Sequence, residues 1–427
     1  MTKRKNELRN GSILLAAVAI SALVASPLVA GASNIGAKSF FVKAQNIEDS
    51  KFNSIRPKLN PTTPGTGPTT APEPSSPAAP LAKVVSMTID TSLPGCVPSD
   101  FSLEFAAPLA PPATPAQATV RWSDGEAPVP VNAVGLNSHS YSAGKHSLEV
   151  AGSIYGITRT NSASWAANNC ILSVDSFGES SSVKSLRHML RNANNIQSVA
   201  APSSSVTDLY GMFESAKNFN GDLNGWDVSK VTNFQAMFQG ASKFNGNISG
   251  WDMGSADNVA NMFTNASVFN GDLSRWNMSK ATKFQSMFNN AYKFNGDLSK
   301  WDTSSMQDAQ SLFRNATSFT GDISGWDVSK VTSFRTMFAG ATKFNGQLNG
   351  WKVSSAEDFS SMFDDAVAFN QPLGSWIPSS ATDMEKMFHG ATSFNQDLSS
   401  WDVAKVRDRA DFSTDSALSP ANLPRFS

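Results

Sequence analysis

Tryptophan recurs at Trp226, Trp251, Trp276, Trp301, Trp326, Trp351, Trp376 and Trp401, always 25 residues apart. A fixed period of this size, kept without an insertion, makes each block a stacking unit that touches only its neighbours. Phe219, Phe244, Phe269, Phe294, Phe319, Phe344, Phe369 and Phe394 keep the same step, as does an alanine column from Ala216 to Ala391. A small column beside large ones is what a tight stack needs where backbones approach. The C-terminal half of the chain is therefore a repeat array.

Within the unit 219–243, Leu223, Trp226 and Val228 have the L-x-x-L-x-L spacing of a leucine-rich repeat, with Trp in the middle apolar slot. This predicts a short strand with Trp226 and Val228 inward and Asp227 outward. Val231, Phe234, Met237, Phe238 and Ala241 follow at offsets 0, 3, 6, 7 and 10, which reads as one helical face. Thr232 with Gln235, and Thr282 with Gln285, have the spacing of a capping box. Asn220-Gly221 turns the chain back. The expected fold class is a leucine-rich-repeat-like solenoid, with a short parallel strand plus helix per 25 residues, preceded by a small antiparallel β-sandwich-like domain.

The rest of the chain divides by composition. Lys3, Arg4, Lys5 and Arg9 precede an apolar run over 13–25, and Ala30-Gly31-Ala32 supplies a small-x-small site, so 1–32 reads as an export signal cleaved after Ala32. A retained membrane anchor is the competing reading; the run is shorter than the roughly 20 apolar residues a span requires. Residues 33–82 hold an unassigned segment and a Pro/Thr-rich stalk, with eight prolines in 57–80. Alternating apolar runs between turn-formers predict a β domain over 83–172. Cys96 and Cys170, the only cysteines, are expected to clamp it with a disulfide, as an isolated pair in an exported chain does. An N-terminal cap with a degenerate repeat (173–212), the solenoid (213–412) and a C-terminal cap (413–427) complete the expected organisation.

The repeated motif Phe-Asn-Gly/Gln-Asp-Leu/Ile-Ser-x-Trp-Asp-Val-Ser-x-Val-Thr-x-x-x-x-Met-Phe-x-x-Ala resembles the BspA-type surface leucine-rich repeat family over about 182–427. Val120-Arg121-Trp122-Ser123-Asp124-Gly125, with His139-Ser140-Tyr141 and the run 144–150, is similar to the W-G-D-G and H-x-Y elements of PKD-like β modules. Ser123 replaces a glycine there, and His146 stands where a second tyrosine would be. The resemblance implies a bacterial surface or secreted protein used for adhesion and protein interaction.

Function is sought where the repeats differ. Asp227, Asp252, Asn277, Asp302, Asp327, Lys352, Ile377 and Asp402 form the column beside the tryptophans. Its polar members are the candidate interaction face, for a cationic partner or Ca²⁺. The competing reading, a solvated face satisfied by hydroxyls such as Ser229 and Ser304, is the stronger one: charges about 4.8 Å apart repel, and Asn277, Lys352 and Ile377 interrupt them. The tryptophans, in an inward slot, read as a structural spine and not as a sugar platform. Arg275, Lys300, Lys352, Pro372, Ile377, Pro378 and His389 break the repeat symmetry without pairing an acid with a base or nucleophile, so no enzyme, catalytic residue or cofactor is expected. His139, His146, His188 and His389 lack metal-ligand spacing. A net charge of -1 argues against nucleic acid. The expectation is an exported adhesin-like protein, secreted or on the cell surface, that binds a protein or matrix partner. A structural envelope component and a glycan-binding lectin are the alternatives. A membrane is touched only if the N-terminal segment is retained.

Overall fold

The computed structural model describes residues 81–97, 101–106, 117–123, 125–132, 134–158, 167–178 and 180–426. The expected export signal and the stalk at 57–80 lie outside the described residues. Two sheets form the first part. One has six strands in the order β4-β3-β6-β1-β8-β9, namely Val129–Val131, Ala118–Arg121, Lys145–Gly152, Lys83–Asp90, Ile171–Phe177 and Ser198–Val199. The other has three in the order β5-β2-β7, namely Gly135–His139, Phe101–Ala106 and Gly156–Thr158. Every pairing is antiparallel except β8 with β9. Val85, Met87, Ile89, Leu148, Val150, Phe101, Leu103 and Phe105 are buried, as alternation along half-buried strands requires.

A disulfide joins Cys96 to Cys170, with Cα atoms 4.7 Å apart and 74 residues of separation. A closed loop of this length stabilises by about 4 kcal/mol on the chain-entropy account. The disulfide-linked loop also touches the array: Asn195 Nδ2 donates to the Pro94 carbonyl at 2.9 Å and to that of Asn169 at 2.7 Å. The sheet itself runs on into the repeats. Gly156 of β7 bridges in parallel to Ser185, and the bridge column continues through Asp208, Asn233, Asn258, Lys283, Asp308, Ser333, Asp358 and Asp383 to Asp408. The β module thus covers the first coil of the array, where a bare apolar end would otherwise face water. At the far end Phe426 packs edge-on against Phe412, and Arg409 lies 4.9 Å above the Phe426 ring.

The coil itself corrects the expected fold class. Among the described residues there is no α-helix; the helical pieces are single 3-10 turns at 167–170 and Pro420–Asn422. The segment read as a helical face is instead the ladder between coils. Phe234, Ala236, Phe238 and Gly240 donate their N–H groups to the carbonyls of Asn258, Ala260, Met262 and Thr264 in the next coil, at 2.7–2.9 Å. The alternate N–H groups, of Met237, Gln239 and Ala241, close turns onto the third residue back. Such a path still turns Phe234, Met237, Phe238 and Ala241 inward, so it reproduces the helical spacing without a helix. The expected strand at Trp226 and Val228 is likewise absent; the bridging residue is Asn233. Thr232 does not cap a helix but donates to the Thr207 carbonyl at 3.3 Å, and Gln235 N–H donates to Asn233 Oδ1 at 3.1 Å.

The backbone signature is a left-handed residue at two places per coil. One column is Ala236, Asn261, Ser286, Ser311, Thr336, Ser361 and Lys386; the other is Gly240, Asn265, Asn290, Asn315, Gly340, Asp365 and Gly390. The second column begins at Ser215 and is otherwise drawn from Gly, Asn and Asp, the residues that tolerate this region. Inside the coil, each tryptophan from Trp251 to Trp401 donates its indole N–H to a carbonyl of the preceding coil, those of Leu223, Ile248, Leu273, Leu298, Ile323, Leu348 and Leu373, at 2.8–3.2 Å. All eight tryptophans are 2–5% exposed. They therefore serve both as apolar filling and as satisfaction for a buried acceptor.

Two outcomes follow. In a helix, Gly240→Ala would stabilise by about 0.5–1 kcal/mol. At its φ of 72° the substitution instead costs about 1 kcal/mol, and Gly240→Asn costs less. Denaturant midpoints decide the sign. Trp301→Phe removes one of the two donors to the Leu273 carbonyl, which keeps the Trp276 N–H at 3.1 Å, and costs about 0.5–1.5 kcal/mol beyond the change in size. Trp226→Phe, at the start of the column, has no preceding coil of this register to lose and costs less; equal losses would refute the role of the indole N–H.

Candidate interaction faces

The column proposed from sequence lies on the surface: Asp227, Asp252, Asn277, Asp302, Asp327, Lys352 and Asp402 are exposed, and Ile377 is 63% exposed. Each acidic or amide member also has a local task. Asp227 Oδ1 accepts the Ser229 N–H at 3.1 Å and its hydroxyl at 2.6 Å. Asp252, Asn277, Asp302, Asp327 and Asp402 accept the N–H of Gly254, Ser279, Ser304, Ser329 and Ala404 in the same way. These are Asx turns, which hold the chain as it leaves the tryptophan. The serine hydroxyls, followed by the backbone N–H groups, hold the carboxyls of Asp227, Asp302 and Asp327 below the usual carboxylate range.

A second column five residues earlier repeats the device at Asp222, Asn247, Asp272, Asp297, Asp322 and Asp397. Beyond these, asparagines staple coil to coil. The side-chain oxygens of Asn220, Asn245 and Asn270 accept the backbone N–H of Asn245, Asn270 and Asn295, at 2.7–2.8 Å. An amide ladder joins Asn265, Asn290 and Asn315, each step 2.7 Å. From sequence Asn220 reads only as a turn residue; its role as a coil-to-coil acceptor appears once the coils are stacked.

Stacking also brings together groups 25 residues apart. His389 Nδ1 lies 2.7 Å from Asp364 Oδ1, and with Asp365 the three offer metal-ligand atoms within 4.8 Å of one another. The hydrogen bond to Asp364 raises the His389 pKa. In the bridge column, burial raises the Asp383 pKa and the neighbouring Asp358 and Asp408 add to it. In the β module, Trp122 stacks on His139 with centroids 5.0 Å apart, and Tyr141 lies 4.7 Å from both His139 and His146. Burial raises the Tyr141 pKa, which keeps the phenol protonated. Ser123 Oγ lies 3.3 Å from His146 Nδ1.

These features define a class: a solenoid of hydrogen-bonded turns, capped at one end by a β module, whose outer face consists of turn caps and amide rows. The family follows from the comparison with known proteins. Residues 162–273, 250–348 and 320–422 match the family described as Mycoplasma protein of unknown function, DUF285, and the chain belongs to that family. No curated protein and no solved structure matches it.

A histidine with a raised folded pKa contributes stability that is complete below its unfolded value, near 6.5, and is lost as pH rises through the folded value. The Asx-turn carboxylates, with depressed values, contribute above the unfolded 3.8 and lose it as pH falls through their folded values. His389→Gln should therefore erode stability at pH 6 more than at pH 9, and Asp302→Asn should flatten acid unfolding while keeping its turn. Urea titrations across pH measure both.

Proposed function

We propose that this chain is an exported interaction protein, adhesin-like in action, that binds a protein or matrix partner along the outer face of its array. The observation that carries this reading is the division of labour within the coil. Every large apolar column points inward, while the charged and polar side chains that differ between repeats, such as Asp227, Asn277 and Lys352, lie exposed on outward rows, where the Asp and Asn members cap turns. Such rows offer recognition over many coils but no enclosed, convergent polar site, which catalysis requires. The basic, apolar and small pattern of 1–32, with the Cys96–Cys170 disulfide, supports an oxidising, extracellular setting. Within this reading the Asp227 column is a face for cationic protein surfaces, its carboxyls held ionised by their serines.

Asn replaces Asp in this column at Asn277 and keeps the turn. The combined substitution Asp227→Asn, Asp252→Asn, Asp302→Asn and Asp327→Asn should therefore fold normally. Full-length protein should be found outside the producing cell with its N-terminus at Ser33, and should bind immobilised basic matrix proteins about tenfold more tightly than the substituted chain. Retention in the cytoplasm, or binding that ignores the substitutions while the midpoint of unfolding is unchanged, would overturn this reading.

A further inference from the structure

Toward its C-terminal end the array departs from the repeat in a way that the stacking does not require. Residues 239–246, 264–271, 289–296, 314–321 and 339–346, one edge of successive coils, contain Lys243, Lys293, Arg314 and Lys343 and no aspartate or glutamate. The next coil reverses the sign at Asp364 and Asp365, and the coil after it brings in His389, with Nδ1 2.7 Å from Asp364 Oδ1. Asp365 Oδ1 occupies the space that a Cβ on Gly390 would take, so the missing side chain lets this carboxylate lie over the coil of His389. Ligand atoms of Asp364, Asp365 and His389 all fall within 4.8 Å of one another. Asp415, one coil beyond Gly390 in the same column, adds a further negative charge that acts on the imidazole. Neither Asp365 nor Asp415 has an ion-pair partner among the described residues. The array supplies its own comparison two coils earlier. Asn315 Oδ1 lies over Gly340 in the same way, and Asn315 N–H donates to the Ala339 carbonyl at 2.7 Å, as Asp365 N–H does to that of His389 at 2.8 Å. Arg314, Asn315 and Ala339 build there the same stack that Asp364, Asp365 and His389 build here. Neither the carboxylates nor the imidazole is needed for the fold.

The geometry points to a binding site for a divalent cation of the zinc type, held between two coils by His389, Asp364 and Asp365. This goes beyond the proposed interaction role and does not rest on it. An ion seated between Nδ1 and the carboxylates takes the place of the proton that His389 shares with Asp364. Bonds of about 2.0–2.1 Å at tetrahedral angles set ligand atoms about 3.3 Å apart, so the His389–Asp364 contact opens slightly and the wider separations close. One imidazole and two carboxylates make a mixed nitrogen and oxygen set, which suits zinc. Calcium takes about six to eight oxygens, and magnesium an octahedron of oxygens rich in its own water. Both cysteines are tied in the disulfide, so the chain offers no thiolate to a softer ion. The side chains of His389 and Asp364 are 32% and 27% exposed, which leaves an open side from which water completes the coordination. No spacing along the chain shows this set, because its members meet only across stacked coils.

Full-length protein, stripped with a chelator and titrated with Zn²⁺ in a calorimeter, tests the site. The expected result is one strong equivalent per chain, with a rise in the urea midpoint of unfolding when Zn²⁺ is added and no displacement by an about tenfold excess of Ca²⁺. Asp365→Asn and His389→Ala give these positions the residue types of Asn315 and Ala339, which stack in the same way, so both variants should fold. Each should weaken Zn²⁺ binding by at least about tenfold, and the double variant should lose the Zn²⁺-dependent shift of the midpoint. Asp302→Asn removes a carboxylate elsewhere on the array and should change Zn²⁺ binding by less than about twofold. Absence of Zn²⁺ binding, retention of it by the double variant, an equal loss in Asp302→Asn, or displacement by Ca²⁺ rules the site out.

Discussion

The architecture depends on how the backbone of the segment 234–241 and its copies disposes of its N–H groups. Half of them go to the next coil and half close local turns. Neither set suffices alone: an isolated run of such turns would leave every second donor unsatisfied inside an apolar stack. Because the missing partner is always the following coil, a single coil cannot be stable by itself. Cooperativity along the array is built into its hydrogen bonding.

That requirement explains the left-handed residues. Where the column is Gly, Asn or Asp, the backbone adopts this region at little cost. Where it is Ala236, Thr336 or Lys386, the conformation costs about 1–2 kcal/mol and is held by the ladder on either side. The indole N–H bonds and the asparagine staples act in the same direction, each fixing one coil to its neighbour through a backbone group. The β module and the Phe412–Phe426 contact then close the two ends, which prevents the same bonds from joining one molecule to the next.

The outer face is shaped by the same economy. The aspartates that the sequence offers as a recognition column are also the caps of turns, so much of their regularity has a structural cause. Positions freed from capping carry the differences between coils: the lysines at every second coil, Arg314, Tyr292, and the acidic reversal at Asp364 and Asp365. Surface identity therefore lies in departures from the repeat and not in the repeat itself.

Period, burial and pairing were legible from the residues alone. Trp226 and its copies occupy an inward slot, and Cys96 could pair only with Cys170 within the chain. The helix was not legible correctly, because Phe234, Met237, Phe238 and Ala241 meet a core at the same spacing in a helix and in a chain of turns. Gly240, Asn265, Asn290, Asn315 and Asp365 carried the signal that separates the two, since no helix interior favours those residues every 25 positions. What only the tertiary structure decided was what lies beside what across 25 residues: the Asn220–Asn245 staple, the His389–Asp364 pair, the Asn265–Asn290–Asn315 ladder. The residues set the interval along the chain; the hydrogen-bonded stacking of coils turns that interval into a surface.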